Sequence, residues 1–517
     1  MEVNRLKPFI APIFGAILSL PILFLLAYAL LEGVSLEAFS NLNLATYAKS
    51  TLLLVLGVGA LVFVFGGLSA YLVARFEFVG SRFFSLSLAL PLAIPSYVVG
   101  YAYNGIFEYA GLLAQLTGIT GHFSILTLWG AIVIFGLSMY PYVFIVARAA
   151  FLGLSSSVDE VVKLQGIGPV RAFFRAYLPL VYPALFIGLF LTSMEVISDY
   201  GTVLYFGVET FSVGIFKQWF GYADLQGAIK IALVLMVFVF TLLLLESKAK
   251  ARMRYATGGF SAKPLQKQRL KGLKALGAFA FCALLFTCAF VVPVAVLGYW
   301  AILDPRSGSL DLGGYTFGTL SINLGSAFVI MVCAFVVLFF TVAYRTALAK
   351  IAYRVSLLGY SIPGAVVGIG ALLLFSSIDK ALGQYWLGGT FFVLIFAYVV
   401  RFYPAGVGAL NSGFSKITTE LQEASKLYAK GEFARMWRVS FPMVKGAFMS
   451  GFLIVFIDVS KELPATLLLR PFNFDTLATR IYELASNEML PALGLPSLVL
   501  ISMTTVAVLL LNLRIFR

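Results

Sequence analysis

DEVVKLQGIGPVRAFFRAYLPL, from Asp159 to Leu180, returns 263 residues later as QEASKLYAKGEFARMWRVSFPM, from Gln422 to Met443. Glu160 matches Glu423, Lys163 matches Lys426, Leu164 matches Leu427, Gly168 matches Gly431, Phe174 matches Trp437 and Pro179 matches Pro442. In both copies a polar, turn-rich stretch is embedded between long apolar ones. That arrangement predicts two homologous halves performing one task.

The repeat extends outward from this stretch. Ile94-Pro95 with Gly100 matches Ile362-Pro363 with Gly368, and Tyr140-Pro141 matches Tyr403-Pro404. Further on, Glu195 aligns with Asp458 and Asp199 with Glu462. Composition fixes the surroundings: 61% of residues are hydrophobic and only 12% charged, against roughly 25% charged in a soluble domain. Apolar runs of about 20 residues recur, long enough for helices to cross a hydrocarbon core of about 30 Å. The ~10-residue alternating segments of a membrane barrel are absent.

The expected fold is therefore an all-α integral membrane protein with twelve transmembrane helices in two six-helix halves. Spans are predicted near 9–32, 51–74, 84–107, 126–149, 180–200 and 227–246, then 275–302, 323–347, 355–378, 384–409, 443–465 and 489–514. The first is too long in its apolar part for a cleaved leader and reads as a retained span. Residues 1–246 form the first half, 247–274 a linker and 275–517 the second half. Six spans per half place the halves parallel, related by an axis along the membrane normal, with a path between them.

Charge sets the orientation. With both termini cytoplasmic, all but eight of the 37 Lys and Arg residues lie on the inner side; the eight are Lys49, Lys217, Lys230, Arg306, Lys380, Lys461, Arg470 and Arg480. Basic residues concentrate in cytoplasmic loops, so the net charge of +14 is a topology signal rather than a sign of nucleic-acid binding. The linker Ser247–Lys274 carries nine of these basic residues, no acidic one, and the breakers Gly258, Gly259 and Pro264. It reads as a cytoplasmic tether able to lie against anionic headgroups.

Within the opening stretch, Glu160 to Gln165 predicts a short helix. Gly166, Gly168 and Pro169 end it, and Pro169 suits the first position of the following helix. A short helix held across the mouth of a bundle acts as a lever. The segment resembles the "EAA" loop of ABC-transporter permease subunits, in which an acidic residue, small residues, a glycine and a later proline form a coupling helix for the ATP-hydrolysing subunit. The positions carried over are Glu160, Gly166 and Pro179, then Glu423, Ala424 and Pro442, with Gly168 and Gly431 matched between the copies. Val161 and Val162 replace the family's alanines, and Ala429 replaces its glycine.

The end of each half carries a narrower resemblance. EVISDYGTVLYFGVETFSVGIFKQWF (Glu195–Phe220) and DVSKELPATLLLRPFNFDTLATRIYELAS (Asp458–Ser486) resemble fused two-half permeases of the ferric-iron uptake type. The resemblance implies a type I importer fold in a bacterial inner membrane. It further implies two copies of an ABC ATPase subunit carrying ATP and magnesium, a periplasmic ferric-iron-binding protein, and ferric ion as cargo. No cofactor is implied for this chain. No G-x-x-x-x-G-K-[ST] loop occurs in it, so ATP hydrolysis would belong to another polypeptide.

Glu195, Asp199, Asp458 and Glu462 are the candidate path residues, because carboxylates in membrane segments usually face a path or a partner. The spacing of four within each pair predicts a shared helix face, and four hard oxygen donors around one axis would suit ferric ion. Glu195 and Asp458 are the candidate ion contacts, and Lys461 would partly neutralise its pair. The bland alternative places these acids at the membrane surface, paired with Lys461 and Arg480. His122 is the sole histidine, and Cys282, Cys288 and Cys333 fall within predicted spans as packing residues. Pro91, Pro95 and Gly100, and Pro363, Gly364, Gly368 and Gly370, predict bent spans. Thiamine, polyamine or organophosphonate cargo in the same architecture, and an ion-driven carrier working without a motor, are the competing functions.

Overall fold

The computed structural model describes residues 9–31, 42–108, 111–118, 124–253, 267–304, 311–344, 346–429 and 431–515. His122, Arg306 and the linker interior lie outside the described residues. The first half runs α1 (Ile10–Leu31), α2 (Leu44–Arg75), α3 (Ser81–Ser87), α4 (Ser96–Phe107), α5 (Leu112–Thr117), α6 (Leu128–Leu152), α7 (Ser156–Leu164), α8 (Pro169–Ser198), α9 (Gly201–Tyr205), α10 (Phe211–Phe216) and α11 (Leu225–Met253). The second half runs α12 (Gly272–Leu303), α13 (Leu312–Tyr344), α14 (Ala347–Ser356), α15 (Gly364–Leu382), α16 (Phe391–Phe414), α17 (Thr419–Tyr428), α18 (Glu432–Ser460), α19 (Pro464–Leu469), α20 (Leu477–Ser486) and α21 (Gly494–Ile515).

Among the described residues, 11 helices are long and apolar enough to cross a membrane, and one bent pair raises the number to 12. The bent pair, Ser81–Ala93 with Ser96–Gln115, turns through 92°, so the span predicted at 84–107 is bent, as its prolines lead one to expect. Ile94 is extended (φ −99°, ψ 122°) and Pro95 follows at −58°, 141°. The second half repeats this backbone almost to the degree, with Ile362 at −93°, 124° and Pro363 at −57°, 144°. A proline ring pushes the preceding residue out of the helical region, so both spans must restart, at Ser96 and Gly364. The predicted span at 355–378 accordingly becomes α14, a 3₁₀ turn and α15.

Spans five and eleven begin earlier than expected, at Pro169 and Glu432. Each contains a π turn, Phe173–Tyr177 and Met436–Ser440, at matching repeat positions. Pro179 and Pro442 follow directly behind these turns. Proline disrupts the helical ladder N-terminal to it, and a widened turn is a local way to relieve that conflict.

The first span of each half crosses to the other half. α1 packs on α14 and α15: a methyl at Gly15 would meet the Ala352 carbonyl at 2.8 Å, and one at Gly370 the Pro21 carbonyl at 2.5 Å. α12 packs on α3, α4 and α21, where the Tyr103 hydroxyl donates to the Cys288 carbonyl at 2.7 Å. Small residues permit such close backbone approach between membrane helices. Cys282, Cys288 and Cys333 are free thiols within α12 and α13. A short parallel ladder, β1 (Phe76–Glu77) with β2 (Gln268–Arg269), ties the end of the linker to the first half.

Candidate functional site: a mixed-charge cavity between the halves

The two proline breaks decide where the polar residues meet. α4 starts at Ser96, α8 stops at Ser198, and the chain turns at once into α9; in the second half α15, α18 and α19 repeat the geometry. The ends enclose a cavity of about 60 Å³, taken as space for the centre of a water molecule, against 10–15 Å³ for a single water. All four predicted acids, Glu195, Asp199, Asp458 and Glu462, line it, together with Tyr97, Ser138, Arg401 and Lys461. The structure thus brings the two pairs into one site and leaves Arg480 elsewhere, bonded to Glu483 at 3.3 Å.

The pairs are not arranged as their spacing predicted. Asp199 lies just past the end of α8 with extended backbone (φ −66°, ψ 140°), so it does not share the helix face of Glu195. Its carboxylate caps α9. Oδ1 accepts the N–H groups of Thr202 at 2.8 Å and Val203 at 3.3 Å, and Oδ2 accepts the hydroxyls of Ser96 at 2.9 Å and Thr202 at 3.0 Å. Carboxylates at such positions satisfy the unpaired N–H groups of a helix start. Glu462, likewise beyond its helix, accepts the Ala465 N–H at 3.0 Å at the start of α19.

Glu462 takes its remaining support from a residue whose signal lay in the sequence: an arginine inside the apolar run FAYVVRFYPAG. Arg401, on α16, places Nη1 3.1 Å from Glu462 Oε2, and both side chains are buried. A methyl at Gly364 would overlap both the guanidinium and the carboxylate, so glycine at this break makes room for the pair. Lys461 lies 3.9 Å from Asp458 and donates to the Leu92 carbonyl of the other half at 3.2 Å. Among the described residues no group of three or more His, Cys, Asp or Glu side chains is disposed to hold a metal ion. The four acids expected around one axis are therefore joined by Arg401 as well as Lys461, and two of them serve as caps.

At the other predicted site, Glu160 lies exposed on α7, and Glu423 and Ala424 lie exposed on α17. Gly166, Gly168, Pro179, Gly431 and Pro442 are exposed as well. Leu164 at 87% exposure and Tyr428 at 81% leave large apolar groups uncovered at both short helices. The turn after α7 uses Gly166 at φ 63°, whereas the turn after α17 uses Gly431 at φ 95°. Ala429, at the position of Gly166, keeps ordinary extended backbone (φ −116°).

Two alike helical halves, a polar cavity between them and two matched surface helices define a membrane permease built as a fused pair. The chain belongs to the family described as the binding-protein-dependent transport system inner membrane component, whose pattern matches twice, at residues 62–247 and 331–516. It is similar along 98% of its length to an Fe(3+)-transport system permease protein of Haemophilus influenzae, with 26% identity over 513 residues and 97% of that relative covered. A ferric transport system permease protein of Actinobacillus pleuropneumoniae is 21% identical over 92% of the chain and 74% of its own length. A molybdenum transport system permease protein of Escherichia coli is 29% identical over 28% of the chain and 62% of its own length. The protein is a multi-pass inner-membrane permease subunit of an ABC transporter.

Proposed function

We propose that this chain imports ferric iron, handed over by a periplasmic binding protein and moved by alternating access driven from two separate ABC ATPase subunits. The reading is carried by one observation: carboxylates from both halves line a single cavity at their junction. Oxygen donors suit a hard trivalent cation, and the full-length similarity to two ferric permeases points the same way. Arg401 and Lys461 act as resident counter-charges, which lets the acids stay buried between transport events.

Both termini are placed in the cytoplasm, which puts α7 and α17 on the side of the motor. The ATPase subunits, holding ATP and magnesium, engage the exposed surfaces around Glu160 and Glu423. ATP favours one state of a bistable bundle, and the two short helices transmit that bias. The bound binding protein delivers the ion to the opened cavity, and hydrolysis restores the inward-facing state.

The test is uptake of radiolabelled ferric ion into proteoliposomes holding the permease–ATPase complex, with iron-loaded binding protein outside and ATP inside. ATP-dependent uptake, lost in Glu195→Gln/Asp458→Asn while ATPase stimulation persists, is the expected result. Stimulated ATP hydrolysis without iron uptake would overturn the cargo. Molybdate is run beside iron, because Arg401 and Lys461 also suit an oxyanion and a molybdenum permease is among the relatives.

A further inference from the structure

Tyr97 is the second residue of α4, and the break at Pro95 delivers it to the cavity wall. It is 3% exposed, and its hydroxyl has no hydrogen-bond partner among the described residues. An orphaned buried polar group costs about 1–3 kcal/mol, so a structure that retains one needs a reason for it. The ring is held in place by Tyr101, with centroids 5.8 Å apart, and by Gly201, where a methyl would approach the Tyr97 Cβ at 3.2 Å. The second half has Ala365 at the matching position, so this phenol has no counterpart across the pseudo-symmetry.

We propose that Tyr97 supplies a phenolate oxygen to ferric ion in transit, completing with the cavity carboxylates an all-oxygen ligand set. The proposal rests on the ferric-iron reading above. Carboxylates by themselves are not disposed as a metal site here; Tyr97 lines the same cavity, and its phenol is a further hard donor of the type a ferric ion selects. On coordination the O–H bond breaks, its electron pair forms the Fe–O bond, and the proton passes to a cavity carboxylate. The iron stays ferric throughout. Return of that proton reverses the bond, so the site can release its ion. The ligand set joins Tyr97 and Glu195 of the first half to Asp458 of the second, with Asp199 and Glu462 left as caps, so separation of the halves would dismantle it.

The experiment titrates purified full-length permease in nanodiscs with ferric nitrilotriacetate and follows the visible spectrum. An iron–phenolate charge-transfer band is expected in the wild type, absent in Tyr97→Phe and retained in Tyr140→Phe. Tyr140 is a useful control because its hydroxyl is also buried and unpartnered but does not line the cavity. In the reconstituted complex, Tyr97→Phe should lower ferric uptake at least about tenfold, the lower bound for disturbing a metal's surroundings, with stimulated ATP hydrolysis retained. A band that survives in Tyr97→Phe, or unchanged iron uptake by that variant, overturns the phenolate ligand and leaves the iron importer standing. Failure of the wild type to take up iron overturns both.

Discussion

The two short surface helices come from one template but are held by different means. Beneath α7, Asp159 pairs with Arg75 at 2.6 Å, the Tyr177 hydroxyl donates to Asp159 at 2.8 Å, and Arg75 donates to that hydroxyl at 2.8 Å. This buried set fastens α7 to the ends of α2 and α8. Beneath α17, Gln422 and Ser440 stand at the positions of Asp159 and Tyr177, so the same set cannot form. A cavity of about 160 Å³ opens there instead, lined by Gln422, Ser440, Phe339 and Phe414 among others. One short helix is pinned by a buried arginine–carboxylate pair; beneath the other lies a cavity that Glu423 and Arg435 also line, with Arg435 paired to Glu432 in the following turn.

The central cavity shows the reverse assignment. In the first half, Asp199 is held by neutral hydroxyls from Ser96 and Thr202. In the second half the matching positions are Gly364 and Ala465, which have no hydroxyl, and Ser138 is replaced by Arg401. The space left at Gly364 is filled by the guanidinium that serves Glu462. A duplicated backbone thus keeps its capping acids while each half chooses its own partner for them. The buried arginine–carboxylate pair sits beneath the surface helix in one half and at the central cavity in the other.

Breaking a buried ion pair by removing one partner costs about 3–5 kcal/mol. Asp159→Ala should therefore destabilise the protein by about that much, whereas Gln422→Ala should stay within about 0.5 kcal/mol. Unfolding in detergent measures both, and equal losses would abolish the distinction between the two short helices. Arg401→Met should cost a similar 3–5 kcal/mol, and adding Glu462→Gln should recover part of it. A double-mutant cycle showing no coupling would mean that the guanidinium only fills space.

Smaller effects sharpen the same contrast. Gly431→Ala should cost about 1–3 kcal/mol, because φ 95° with ψ 155° lies in a region open essentially to glycine alone. Gly166→Ala should cost about 1–2 kcal/mol for its left-handed backbone, and Gly168→Ala, at φ −64°, close to nothing. A loss at Gly168 as large as that at Gly166 would show that backbone strain does not set the choice of glycine in the turn. Ser96→Ala removes one of four bonds to Asp199 and should cost about 1 kcal/mol, read from the same unfolding curves.

Much of this was legible in the chain because it is governed by neighbours. Ile94-Pro95 and Ile362-Pro363 announce their breaks through the proline ring, and α7 ends at its glycines, although it begins at Ser156, ahead of the predicted Glu160. The acids were legible as residues but not in their roles. Spacing of four implied one helix face, yet α8 ends at Ser198, and Asp199 turns away to cap α9. Arg401 was visible as a lone charge in an apolar run, but nothing nearby named its partner, 61 residues further on.

The sequence by itself determined the membrane class, the twofold repeat, the positions of the proline breaks and the paired surface helices. These follow from hydropathy and from backbone stereochemistry, which act over a few residues. Only the tertiary structure decided that α1 and α12 cross to the opposite half, that glycine serves the second turn two positions later, and that Tyr97 and Arg401 share a cavity with the acids. Those outcomes depend on helices distant in the chain packing against one another, where the room left by one side chain fixes what its neighbour can reach.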